Sequence, residues 1–256
     1  MQLSPTERFT NRAELYARHR PGYPRSIVDV LHKECGLTSE SRIADIAAGT
    51  GLLTKIFLEH LNPVIAIEPN AAMLAYLATL QNAFPNLSAR SGTAEASGLP
   101  DQSVDFIVVG QAMHWFDLEK TREEFKRILQ PDGWVVVIYN ERRRDGDAFH
   151  GGYEDLLETY GANYQEVQSR HLTETMREAF FSPCAMERMV IENAQDLDLE
   201  GLTGRIVSSS YMPTDKDATY PAMMKAINSL FEKSERSGKV RLEYACSVSF
   251  GHLDCA

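Results

Sequence analysis

Apolar residues recur along this chain with two alternating periods. Short, almost wholly apolar runs at 42–46, 64–67, 104–111 and 134–139 predict buried strands. The segments between them place apolar residues three and four apart, predicting helices over 52–61, 70–81 and 118–130. In the second of these, Met73, Leu74, Leu77 and Leu80 take core spacing. Upstream, 11–19 and 24–35 read as two helices parted by Pro21-Gly22-Tyr23-Pro24. Ile27, Val28, Val30 and Leu31 form the apolar stripe of the second, and Gly36 is a natural stop. Strand and helix alternating through short connections predict the α/β class, a parallel sheet covered on both faces.

From 140 to about 186 the strand pattern pauses, while 153–160 and 173–181 read as helices up to the break at Ser182-Pro183. An insertion of this size predicts a helical cap over the substrate side. Strands follow at 185–194 and 241–250, with helices near 196–210 and 220–236 between them. The expected organisation is a core with N-terminal helices over 1–140, the cap over 141–186, and a final segment, 187–256, completing the same domain.

Chemistry concentrates where the first strand ends. Asp45 is followed by Ala47, Gly49 and Gly51, and then by a helix. A strand turning through glycines into a helix lets a ligand approach the backbone, since no Cβ intervenes. The spacing G-x-G-x-x-T puts Thr54 where a dinucleotide-binding loop has its third glycine, which argues against a nicotinamide dehydrogenase. The next strand ends at Glu68, 17 positions beyond Gly51, where an α/β nucleotide site needs a carboxylate for the ribose hydroxyls.

At these residues the chain resembles the class I S-adenosylmethionine-dependent methyltransferases. Asp45-x-Ala47-x-Gly49-x-Gly51 is similar to their first motif, with alanine in place of the first glycine; alanine there is expected to hold φ below zero. Glu68-Pro69-Asn70-x-x-Met73 resembles the second motif and Gly92-Thr93-Ala94-Glu95 the third, with Thr93 where many relatives have an adenine-binding Asp. The segment 104–111, then Ala112-Met113-His114-Trp115-Phe116-Asp117, the turn Pro131-Asp132-Gly133 and the strand at 134–139 complete it. The resemblance spans roughly residues 10–140. Tyr16-Ala17-Arg18-His19-Arg20-Pro21-Gly22-Tyr23-Pro24 and Gln111-Ala112-x-His114-Trp115-Phe116 also resemble a subgroup that includes trans-aconitate-type methyltransferases.

The resemblance implies a doubly wound, seven-stranded, mostly parallel sheet of order 3-2-1-4-5-7-6, its last two strands an antiparallel pair. It also implies S-adenosyl-L-methionine as cofactor, bound by Asp45, Ala47, Gly49, Gly51, Glu68, Pro69, Met73, Thr93, Ala94, Glu95 and Gln111. Met73 at the start of its helix either faces the adenine or fills core. His114, just past the fourth strand, either takes a proton from the acceptor or orients its loop by hydrogen bonds. Trp115 and Phe116 either wall the acceptor pocket or pack. Tyr16, Arg18, His19 and Arg20 either close over a carboxylate or form an exposed helix end. The reaction expected is in-line transfer of a methyl group to a small, oxygen-rich acid or hydroxylated metabolite. A carboxylate acceptor needs no base at neutral pH, whereas a hydroxyl does. The alternative is a non-catalytic cofactor-binding scaffold.

Composition narrows the partners. A net charge of −10, spread along the chain, lacks the basic footprint of a nucleic-acid surface. The Asn/Asp-Pro-Pro-aromatic motif expected of a base-flipping enzyme is replaced by Gly110-Gln111-Ala112-Met113. The dense basic run Arg142-Arg143-Arg144 reads as a solvated loop. Cys35, Cys184, Cys246 and Cys255 lack metal-type spacing and read as reduced thiols. The N-terminus lacks signal-peptide character, and no apolar run approaches the ~20 residues that span a bilayer. These features lead to an expected cytoplasmic location, with no metal, no membrane partner and no signature of oligomeric state.

Overall fold

The structure, a computed structural model, describes residues 13–144, 147–169 and 173–255. Two N-terminal helices, α1 (Ala13–His19) and α2 (Ser26–Cys35), precede the first strand. The alternating core then runs β1 (Ile43–Ile46), α3 (Thr54–Glu59), β2 (Val64–Ile67), α4 (Ala71–Thr79), β3 (Leu87–Arg90), β4 (Val104–Gly110), α5 (Leu118–Ile128) and β5 (Leu129–Arg142). Helices α6 (Ala148–Tyr160), α7 (Tyr164–Ser169) and α8 (Glu174–Phe181) follow. The chain closes with β6 (Met186–Leu197), α9 (Leu199–Val207), α10 (Tyr220–Ser234) and β7 (Val240–Gly251).

The seven strands form one sheet in the order β3-β2-β1-β4-β5-β7-β6, as the family resemblance implies. Strand β7 runs antiparallel to both β5 and β6, while the pairings of β1 to β5 are parallel. Strand alternation explains the two covered faces. Phe106 and Val108 of β4, with Val136 and Ile138 of β5, face one apolar cluster with Ile27, Leu31 and Phe57. Ile107, Val109, Val135 and Val137 face the other, with Phe125, Ile128, Phe180 and Phe181. With both faces buried, nearly every position of these strands is apolar.

Three local features differ from the expectation. The turn at Pro131-Asp132-Gly133 lies inside β5, where the pairing with β4 shifts register between Val104 and Phe106. Asp132 takes φ +63° there, so the extra residues are absorbed as a bulge. Helices α9 and α10 pack with α6 in a third apolar cluster through Leu202, Ile206, Met223, Ile227, Tyr153 and Leu157. The helical body beside the sheet therefore draws on segments both before and after β6.

The third difference corrects the reading of the cysteines. Cys184 and Cys255 are disulfide-bonded, with Cα atoms 5.6 Å apart, while Cys35 and Cys246 are free and buried. The β6–β7 register, which pairs Met186 with Gly251, brings together two thiols 71 residues apart. Spacing alone carries no such information, and the pair removes one ground for expecting a cytoplasmic location. Among the described residues no helix is long and apolar enough to cross a membrane, and no cluster of metal-ligating side chains occurs.

Candidate active site

The site begins at the carboxyl end of β1. Asp45 is 1% exposed, and Thr54 Oγ1 donates to its Oδ2 at 2.5 Å. Thr54 is thus the residue that fixes the acid. Asp45 Oδ1 is buried and has no hydrogen-bond partner among the described residues. Burial pushes the Asp45 carboxyl up to about 7, against the bond from Thr54.

The loop that follows turns left-handed three times, with φ +57° at Ala47, +60° at Gly49 and +85° at Gly51. Ala47 therefore corrects the expectation of a negative φ: the alanine keeps the glycine geometry, which costs about 1–2 kcal/mol. At 51 the positive φ favours glycine, and a Cβ there would also have to displace the tips of Leu77 and Leu80, whose Cδ1 atoms would lie 2.7 Å and 2.8 Å away.

Glu68, 5% exposed at the end of β2, braces this loop. Its Oε2 accepts from Gly49 N and its Oε1 from Asn70 N, both at 2.8 Å. Burial raises its pKa, and these two backbone bonds oppose the rise. A carboxylate has about four acceptor positions, so capacity remains for other donors. Half-buried Pro69 leads to Asn70, whose Oδ1 caps α4 by accepting from Met73 N at 3.0 Å. Met73 is 5% exposed, and a Cβ at Gly49 would lie 3.7 Å from its sulfur.

In the third motif Thr93 is exposed, and its Oγ1 accepts from Ala96 N at 3.2 Å, closing a local turn. Ala94 is buried, and Glu95 accepts from Asp117 N at 3.0 Å, tying the motif to the start of α5. Past β4, Gln111 takes φ +58° and donates from Nε2 to the Asn140 carbonyl at 2.9 Å. His114 sits in a single 3₁₀ turn, Met113–Trp115. Its backbone N–H donates to Tyr139 Oη at 3.3 Å, its Nδ1 lies 3.2 Å from the same oxygen, and its ring leans on Trp115 at 4.7 Å. Phe116 packs against the core.

A cavity of about 650 Å³ opens between this loop, α1 and the helical cap. It brings together Tyr16, Arg20, Asp45, Ala47, Gly49, Gln111, His114 and Trp115. Gly51, Glu68, Pro69, Met73, Thr93, Ala94 and Glu95 are not among its lining residues. Of the remaining N-terminal candidates, Arg18 pairs with Glu200 at 2.7 Å, and His19 is buried against Gly204. The cavity also has a polar wall that sequence reasoning missed, including Tyr139, Arg142, Arg177, Arg188, Arg205 and Tyr244.

Arg142 corrects the solvated-loop reading. Its side chain is 11% exposed, ion-paired to Glu154, bonded to Tyr164 Oη at 2.8 Å and set 4.9 Å from the Tyr153 ring. Arg177 and Arg205, 5% and 6% exposed, could have been noticed. Each occupies a buried helical stripe, Arg177 with Phe180 and Phe181, Arg205 with Leu202 and Ile206. Charge at such a position needs a partner or a task.

Comparison with known proteins agrees with this geometry. A family profile described as "Methyltransferase domain" matches residues 44–137. An uncharacterised methyltransferase of Mycobacterium tuberculosis is 32% identical over 206 residues, covering 80% of this chain and 78% of that protein. One from Schizosaccharomyces pombe is 37% identical over 128 residues, so the chain's match spans half of that relative's length and half of its own. A solved structure from Anabaena variabilis, described as a methyltransferase from an antibiotic biosynthesis pathway, covers 92% of this chain and 99% of its own. It superposes with TM-score 0.64 at 21% identity, a likeness of fold.

Proposed function

The chain belongs to the S-adenosylmethionine-dependent methyltransferase family, and from that premise we propose that it methylates a small-molecule acceptor at an oxygen nucleophile, a carboxylate or a hydroxyl. The cofactor that comes with the family is S-adenosylmethionine.

One observation carries the reading: a single cavity joins the left-handed glycine loop to an arginine-rich wall. The loop fits the cofactor on its own evidence. The buried, unpartnered Oδ1 of Asp45 suits the ammonium of an amino acid, and Gly49 leaves the backbone open to close approach. We assign Glu68 to the ribose hydroxyls through its remaining acceptor positions, with Pro69, Met73, Thr93, Ala94 and Glu95 toward the adenine. Gln111 closes the loop side from β4.

When bound, the cofactor supplies a methyl group on a sulfonium, a leaving group that departs neutral. The protein's task is alignment and exclusion of water. Tyr139 holds the His114 ring at the cavity wall, and the Trp115 ring leans on it at a 43° tilt. For a hydroxyl acceptor His114 is the group placed to take the proton; for a carboxylate no proton needs removing, and His114 serves to orient its loop. Enclosure suits a small ligand, which buries most of its surface. The resemblance at residues 16–24 and 111–116 to trans-aconitate-type enzymes supports an acidic acceptor.

The test is a screen of small carboxylic acids and phenols with methyl-labelled cofactor, resolving base-labile esters from stable ethers. Turnover of any of these separates an enzyme from a cofactor-binding scaffold. Methylation of protein, DNA or RNA with none of the small acceptors turned over would overturn the proposal.

A further inference from the structure

The arginines of the cavity wall fall into two electrical classes. Arg142 and Arg144 meet the carboxylate of Glu154, Arg177 that of Glu141 and Arg188 that of Glu174. Arg20 and Arg205 line the same cavity, yet their hydrogen bonds go to neutral groups. Arg20 Nη2 donates to Ser209 Oγ at 3.2 Å and to the Ser208 carbonyl at 3.3 Å. Arg205 Nη1 donates to the same Ser209 Oγ at 3.4 Å, and its Nε donates to Tyr244 Oη at 3.1 Å. The two guanidiniums therefore converge on one hydroxyl oxygen, with no carboxylate between them among the described residues.

Arg205 is 6% exposed, and Arg20 Nε is buried without a hydrogen-bond partner among the described residues. Burial, followed by the charge of Arg205, lowers the Arg20 pKa. Arg20, half-buried and set 4.9 Å from the Tyr16 ring, and buried Arg205 lose hydration that neutral serine and tyrosine neighbours replace only in part. An oxyanion taken by both forks would restore it with charge-assisted bonds.

Resting on the methyl-transfer reading above, we propose that Arg20 and Arg205 together bind a carboxylate of the methyl acceptor. A carboxylate gripped by two guanidiniums is a poor nucleophile. The acceptor is therefore an acid that carries a second oxygen, on another carboxyl or a hydroxyl, which takes the methyl group. The cofactor also has a carboxylate, but an ammonium accompanies it. Beside Arg20 and Arg205 that ammonium would add a third positive charge, whereas Asp45 on the glycine loop suits it.

The test uses the full chain saturated with S-adenosylhomocysteine. Its thermal midpoint is read in glutarate, in citrate and in neutral glutaramide, at ionic strength matched with chloride. Either acid should raise the midpoint by several degrees and glutaramide should not, because a ligand that binds only the folded state stabilises it. Arg20→Gln and Arg205→Gln should each remove most of the shift, while calorimetry finds S-adenosylhomocysteine bound within about threefold of the parent. Arg205→Lys serves if the buried glutamine variant does not fold, and the parent's own response is decisive without either. The proposal is overturned if neither acid outperforms glutaramide, or if the shift survives Arg20→Gln. It is also overturned if Arg20→Gln costs more than about tenfold in S-adenosylhomocysteine affinity, which would give the pair to the cofactor. A parent that does not bind S-adenosylhomocysteine would overturn the methyl-transfer reading, and this subsite with it.

Discussion

Replacing Asp45 with asparagine should stabilise the protein and damage its cofactor site at once. In the unfolded chain this carboxyl titrates near 3.8; in the fold burial raises it to about 7. Between those pH values the folded state holds one proton more than the unfolded state, so stability falls as pH rises from about 4 to about 7. The shift corresponds to about 4 kcal/mol, all of it lost by pH 8. Asparagine does not titrate and still accepts from Thr54, but its amide N–H groups would sit where Oδ1 has no partner, costing about 1–3 kcal/mol. The net gain at pH 8 is then about 1–3 kcal/mol, or roughly 3–8 °C in thermal midpoint for a domain of this size. At pH 5, where Asp45 is neutral in the fold, the variant should gain little or lose. S-adenosylhomocysteine affinity should drop about 10²-fold, and the parent's affinity should weaken below pH 7 as the carboxyl protonates. Thermal melts at pH 5 and pH 8, with calorimetry alongside, decide the matter. A variant equally destabilised at both pH values, or one that binds as tightly as the parent, would refute the reasoning.

Glu68→Ala strips Gly49 and Asn70 of their backbone acceptor, so it should cost about 1–3 kcal/mol of stability as well as about 2–3 kcal/mol of cofactor binding. Denaturant titration and calorimetry read the two separately, and unchanged binding would move the ribose to another acid. Ala47→Gly relieves a left-handed alanine and should raise stability by about 1 kcal/mol, less the extra freedom glycine gives the unfolded chain; a loss would mean the alanine methyl makes a contact worth more than the strain. His114→Ala should slow turnover about 10²-fold for a hydroxyl acceptor, with activity failing at low pH, and change it little for a carboxylate. Steady-state rates across pH distinguish the two.

What depends on neighbours along the chain is legible in the amino-acid order. Apolar periodicity locates six of the seven strands and nearly all the helices, because strand and helix repeats express themselves within a few residues; β3, Leu87–Arg90, escapes it because only Leu87 of this edge strand is buried. The glycine loop was legible for the same reason, since Gly49 and Gly51 hold their geometry locally and Asp45 and Glu68 end strands that flank it. The sheet order was legible only through the family resemblance. Packing between distant segments sets the rest. It turned Ala47 left-handed, bonded both Glu68 oxygens to backbone amides, and absorbed Pro131-Asp132-Gly133 into a bulge in β5. It paired Cys184 with Cys255 across 71 residues and set Arg20 and Arg205 around one serine hydroxyl, though 185 positions of sequence separate them. An apolar stripe says which face of α9 is buried but not what it meets. That depends on how helices from distant segments pack over the sheet, and it is this packing that gives the cavity its charge.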